Sequence, residues 1–155
     1  MLPFVITGGC ASNSAALDGV EYAAAGYTAS GAPYYRDSSS SVYIYWDPDC
    51  NGAGEPARWI VKDLAPSTSA SSDLDGDGQC AYYAYINSED SSSPPLGTET
   101  WKVGCDGSFT DNDLTLARPS RVHRSPPKGA REGSRWRLDG PSRRHGGTFR
   151  SAGVT

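Results

Sequence analysis

Residues Asp73 to Ile86 read DLDGDGQCAYYAYI, and the fold turns on how this stretch is read. Its first half sets carboxylates on alternate positions, Asp73, Asp75 and Asp77, with Gly78 in the sixth place, where a calcium loop makes its sharp turn. A helix–loop–helix calcium site also needs a bidentate Glu in the twelfth place and a helix after the loop. The twelfth place is Ala84, and the residues after Gln79 are aromatic and strand-like. An EF-hand is therefore rejected. What is left is an acidic loop running into a core strand over Cys80 to Ile86.

Working outward, Val42 to Asp47 (VYIYWD) is dominated by β-branched and aromatic residues and bounded by turn residues on both sides, the signature of a strand. Arg58 to Asp63 (RWIVKD) is a second strand, and Val20 to Thr28 (VEYAAAGYT) a third, weakened by its alanines. The turn Ser30 to Pro33 precedes Tyr34-Tyr35, and Trp101 to Cys105 and Leu114 to Leu116 are the last strand candidates. Asn87 to Thr98, with its serines, Pro94-Pro95 and Gly97, argues against regular structure. No window carries helical periodicity over three turns. The expectation is an all-β fold, a small antiparallel meander or sandwich with two disulfides. Tyr43, Tyr45, Trp46, Trp59, Tyr83 and Trp101 would fill much of its core, each burying ~150–250 Å².

Charge divides the chain. From Arg118 onward ten basic residues face only Glu132 and Asp139, a net of +8, while the first 117 residues carry 4 basic and 16 acidic residues, a net of −12. Residues 1–117 are read as an acidic, disulfide-stabilised β domain. Residues 118–155, dense in Arg, Pro, Gly and Ser, cannot bury enough apolar surface to fold alone and are read as a disordered basic tail. That tail is suited to polyanions, including nucleic acid, or to contact with the acidic domain; the abrupt change of composition also fits a gene-model artefact.

The four cysteines, Cys10, Cys50, Cys80 and Cys105, all lie in the acidic region. Their even count points to two disulfides in an oxidising compartment, and the lack of any Cys-x-x-Cys pair disfavours zinc. Free buried thiols are the plainer alternative. Four cysteines allow three pairings. Cys10 with Cys105 would tie the ends of the domain, and Cys50 with Cys80 would clamp the turn after one core strand to the start of another. Met1 to Gly9 is apolar but lacks the charged region and length of a signal peptide, and no segment approaches the ~20 apolar residues of a membrane helix. Cysteines without a visible leader suggest a piece of a longer secreted or cell-surface protein.

The succession Gly19-Val20-Glu21-Tyr22, Gly31-Ala32-Pro33-Tyr34-Tyr35, Tyr43-Ile44-Tyr45-Trp46-Asp47, Arg58-Trp59-Ile60, DLDGDGQC and Thr100-Trp101-Lys102-Val103 resembles a small cysteine-containing β-module. Such modules are predicted, often in tandem, in surface proteins of unicellular algae and other protists. The resemblance runs from Cys10 to Leu116. It implies an extracellular, modular, non-enzymatic role and assigns no functional residues.

Three functions from different classes follow. The first is an extracellular structural or adhesive module, with Asp73, Asp75 and Asp77 holding Ca2+; the competing reading of these residues is a solvated acidic turn. The second is a carbohydrate-binding module using Tyr34, Tyr35, Trp46 and Asp47, against the simpler view that these aromatics are core. The third is polyanion binding through the tail. Partners would be carbohydrate or other cell-surface proteins, with nucleic acid reached only through the tail. Catalysis is not expected. Both histidines, His123 and His145, lie in the tail, and the pair Asp47 and Asp49 defines no cleft by itself.

Overall fold

The computed structural model describes residues 1–119. Apart from its first two residues, the basic tail expected over 118–155 lies outside the described residues. The described residues form eight strands: β1 (Phe4–Gly8), β2 (Val20–Tyr27), β3 (Pro33–Asp37), β4 (Tyr43–Asp47), β5 (Arg58–Lys62), β6 (Ala84–Asn87), β7 (Gly97–Cys105) and β8 (Ser108–Ala117). Each pairs antiparallel with its sequence neighbours, and β8 returns to pair with β1, so the meander closes into a barrel instead of staying open or splitting into a sandwich. Closure leaves no unpaired sheet edge. Between β1 and β2 lie a 3-10 turn, Ala11–Asn13, and a single helical turn, α1 (Ser14–Leu17).

The interior follows the strand period of two. Phe4 and Ile6, Trp59 and Val61, Trp101 and Val103, and Leu114 and Leu116 alternate inward and join Tyr22, Tyr35 and Ile44 in one cluster. Leu17 of α1 belongs to the same cluster and is fully buried, and the Tyr22 hydroxyl donates to the Ala16 carbonyl at 2.7 Å. Side chains therefore fill the barrel, as an eight-stranded wall allows. Two tryptophans, buried Trp59 and half-buried Trp46, also anchor the connection after β6: Trp46 Nε1 donates to the Ser88 carbonyl and Trp59 Nε1 to that of Asp90, each at 2.8 Å.

Several elements depart from expectation. The apolar N-terminus is a strand, β1, with Phe4 and Ile6 facing inward. β6 starts at Ala84, not Cys80, because the disulfide to Cys50 and the packing of Tyr82 hold Cys80–Tyr82 over the outside of the sheet. β7 starts at Gly97, inside a stretch read as irregular, since its ladder with β8 runs from Gly97↔Leu116 to Cys105↔Ser108. That hairpin turns through Asp106 and Gly107, both with positive φ (51° and 85°), as a two-residue primed turn requires. At Gly26, beside a register shift between β2 and β3, the Tyr34 ring lies so close that an added Cβ would sit 2.7 Å from it.

The disulfides join Cys10 to Cys105 and Cys50 to Cys80. The first ties the segment after β1 to the end of β7, and the second ties the loop after β4 to the segment before β6. With sequence separations of 95 and 30, the chain-entropy relation assigns them about 4.7 and about 3.6 kcal/mol. Removing Cys10 and Cys105 as a pair of alanines should lower the thermal midpoint more than removing Cys50 and Cys80. Calorimetry of the two double variants checks this order.

Candidate functional site

Every residue of β5 is buried. A strand in a closed barrel normally shows one face to solvent, so the other face must be covered here. The cover is the long connection between β5 and β6. On the outer side of β4 and β5, Tyr45 and Ile60 pack with Leu74 of that connection in a second apolar cluster, flanked by Tyr34, Tyr43, Ala70, Tyr82 and Tyr85. The same alternation that sends Trp59 and Val61 inward sends Arg58, Ile60 and Lys62 outward beneath this cover. Two cations thereby become buried and require partners.

Arg58 is fully engaged. Its guanidinium donates to the Pro56 carbonyl at 2.8 Å, to the Tyr82 hydroxyl at 2.7 Å and to Glu55 at 2.9 Å, and it lies 4.9 Å from the centre of the Tyr85 ring. Lys62 enters the acidic loop. Its ammonium pairs with Asp75 Oδ2 and, at 2.6 Å, with Asp77 Oδ2. The Asp75 side chain is 3% exposed and that of Lys62 8%. Burial pushes the Asp75 carboxyl up, against the opposing pull of Lys62. Lys62 holds the Asp77 carboxyl below its usual range. For Lys62 itself burial lowers the pKa, but the bonds to Asp75 and Asp77 outweigh it and the net shift is upward.

The loop is tied to the wall by its backbone. Asp47, fully buried at the end of β4, accepts hydrogen bonds from the Leu74 and Asp49 amides at 2.9 and 3.0 Å; burial pushes its carboxyl up. The Asp73 amide donates to the Asp49 carbonyl at 2.7 Å, and the Asp49 carboxylate accepts from the Gly54 and Glu55 amides. Asp73 stands at φ 47°, a left-handed conformation that Asp tolerates, and its carboxylate accepts from the Gly78 amide. Oxygens of Asp73, Asp75 and Asp77 lie within 4.8 Å of one another.

Two polar atoms of this region have no hydrogen-bond partner among the described residues: the Tyr45 hydroxyl and Asp75 Oδ1. Tyr45 is fully buried. Its pKa is pushed up by burial first, then by the negative charges of Asp75, Asp47, Asp77 and Asp73.

The residues expected to bind sugar do not share a surface. Tyr35 faces the barrel interior, Trp46 packs against the interior cluster, Tyr34 lies on the outside over Gly26, and Asp47 is buried under the cover. A different aromatic group is present where β6, β7 and β8 meet. Tyr82, Tyr85 and Phe109 pack with ring centres 5.1–5.9 Å apart, and Phe109 is 43% exposed. Beside them runs a hollow of about 300 Å³ walled by Asn13, Gly104, Gly107 and Ser108. At Ala81–Tyr83 it adjoins a second hollow of about 290 Å³ bordered by Lys62, Asp63 and Asp77. The Tyr83 hydroxyl donates to Asp63 at 3.1 Å.

No family model matches this chain, and no curated protein or solved structure matches it either.

The Lys62–Asp75 pair is enclosed, so removing one partner strands the other. Lys62→Met should cost about 3–5 kcal/mol in denaturant unfolding, and Lys62→Met with Asp75→Leu should recover most of it. A pH series provides a second check. Because folding raises the Lys62 pKa above 10.5, its stabilisation is complete below that value and is lost as pH rises through the folded value. The buried hydroxyls of Tyr22 and Tyr45, also pushed up by burial, act in the same direction. Wild type should therefore lose more stability than Lys62→Met above about pH 10.5, and the difference between the two curves isolates the lysine.

Proposed function

We propose that this chain is an extracellular, non-catalytic adhesive module that binds neutral saccharide on its outer surface. The observation that carries the reading is the aromatic group of exposed Phe109 with half-buried Tyr82 and Tyr85 beside a polar hollow, on a small barrel held by two disulfides. The interior is filled by Trp59, Trp101, Tyr22 and their neighbours, so the outer wall is the surface on offer. An exposed ring stacks on the apolar face of a pyranose, and a carboxylate or amide accepts and donates to its hydroxyls. Gly104 and Gly107 contribute no side chains beside the rings. Asp63 and Asp77, in a region of net charge −12, disfavour an anionic sugar.

The disulfides support placement in an oxidising compartment, and with it a secreted or cell-surface location within a larger assembly. The likeness to modules of algal and protist surface proteins points the same way. No helix among the described residues is long and apolar enough to cross a membrane.

Phe109 sits near the tip of the β7–β8 hairpin and is half exposed, so Phe109→Ala should leave the thermal midpoint within a few degrees of wild type. It should also weaken binding of the full chain to cellohexaose or chitohexaose about tenfold, measured by titration calorimetry, with polygalacturonate as the anionic control. Absence of binding to both neutral oligosaccharides at millimolar concentration, or equal binding by Phe109→Ala, would refute the saccharide reading.

A further inference from the structure

We propose that the acidic loop is a Ca2+ site in which Lys62 is the counter-ion of the metal-free protein: Asp73, Asp75 and Asp77 supply the oxygens, and Ca2+ displaces the lysine ammonium from Asp75. This goes beyond the adhesive reading and does not depend on it. A cluster of carboxylates on a loop would not establish a site. Here a second observation stands beside it: Tyr45 is fully buried, packs against Leu74 between Asp73 and Asp75, and its hydroxyl has no hydrogen-bond partner among the described residues. Asp75 adds an orphaned oxygen of its own, Oδ1, on a side chain 3% exposed. A buried donor and a buried acceptor both left open at one carboxylate cluster mark a place where a hydrated ion completes the bonding.

Geometry and donor chemistry select the ion. The three carboxylate oxygens lie within 4.8 Å of one another. Ligands on opposite sides of Ca2+, each at ~2.3–2.6 Å, stand roughly 4.6–5.2 Å apart, so all three can reach one ion. The set contains only oxygen, which suits a hard cation and not zinc or copper. Three donors leave room for water in the shell, and such water is also the partner that the buried Tyr45 hydroxyl lacks. Ca2+ tolerates such an irregular, partly hydrated shell better than Mg2+ does.

Charge explains the part played by Lys62. Asp73, Asp75 and Asp77 carry three negative charges, of which Lys62 offsets one in the metal-free protein and a divalent ion in its place would offset two. A metal on Asp75 would set two cations across one carboxylate, and their repulsion drives the ammonium away. The hollow bordered by Lys62, Asp63 and Asp77 gives the ammonium a destination beside Asp63. Affinity for the metal is thus reduced by the free energy needed to expel the lysine. The expected dissociation constant is in the ~0.1–1 mM range of extracellular calcium modules.

The test uses the full oxidised chain freed of metal with chelator. Terbium luminescence sensitised by tyrosine reports occupancy, with Ca2+ and Mg2+ as competitors, and thermal melting provides an independent readout. Wild type should bind Ca2+ and melt several degrees higher with it. Lys62→Met should bind Ca2+ more tightly by about tenfold or more, because a like charge a few ångströms from the metal has been removed. Asp75→Asn should lose the response. If Lys62→Met folds poorly without metal, its rescue by Ca2+ supports the proposal. Asp77→Asn, altered at an exposed carboxylate, then gives a second comparison and should bind at least severalfold more weakly than wild type. The proposal is overturned if wild type and Lys62→Met show neither binding nor a melting shift at about 10 mM Ca2+, if Mg2+ acts as strongly as Ca2+, or if Lys62→Met binds no more tightly than wild type.

Discussion

Burial of β5 on both faces is the constraint from which the rest of this molecule follows. A closed meander needs only one buried face per strand, and the inward residues Trp59 and Val61 already provide it. Covering the outer face adds Ile60 and Tyr45 to the apolar interior, but it also takes Arg58 and Lys62 out of water. A buried cation without a partner would be unfavourable by several kcal/mol. The cover must therefore bring oxygen with it. Glu55 and Tyr82 answer Arg58, and Asp75 and Asp77 answer Lys62. In this view the acidic loop is the electrostatic complement of a strand that could not otherwise be enclosed.

Covalent and polar ties then keep a long irregular segment in register with the wall. Cys50–Cys80 fixes one end of the cover, Asp47 receives the Leu74 amide, and the Asp49 carbonyl receives that of Asp73. Cys10–Cys105 acts at a separate place, joining the short helical connection after β1 to the end of β7. A domain of this size has a modest core, and such staples supply a large share of what holds it folded. Because side chains fill the barrel, the surface open to any ligand is its outside, which carries the rings of Tyr82, Tyr85 and Phe109 and neighbouring carboxylates.

Much of the wall was legible in the sequence. VYIYWD and RWIVKD announce strands because β-branched and aromatic residues dominate them between turn residues, and the structure places β4 and β5 there. Closure was not legible. The pairing of Val5–Gly8 with Leu114–Ala117 joins segments more than a hundred residues apart and has no local signature. The β7–β8 hairpin did have one, the Asp106-Gly107 pair, which correctly weighted would have extended both strands. Strand alternation alone also separates Tyr34 from Tyr35, since adjacent residues face opposite sides of a sheet. The acidic loop could be seen as a motif. That Lys62 would enter it could not, because a lysine at a strand end ordinarily reads as solvent-facing.

The most direct measurement is nitrogen NMR of the lysine side chains in the metal-free, oxidised full-length chain. The sequence holds three lysines, Lys62, Lys102 and Lys128. Lys102 is about half exposed, and its partner Asp111 is more exposed still. The Lys62 ammonium should exchange its protons with water far more slowly than that of Lys102, and this protection should disappear in Asp75→Asn. Equally fast exchange at Lys62 and Lys102 would mean that Lys62 is not enclosed, and the covered face of β5 with its obligatory acidic complement would have to be abandoned.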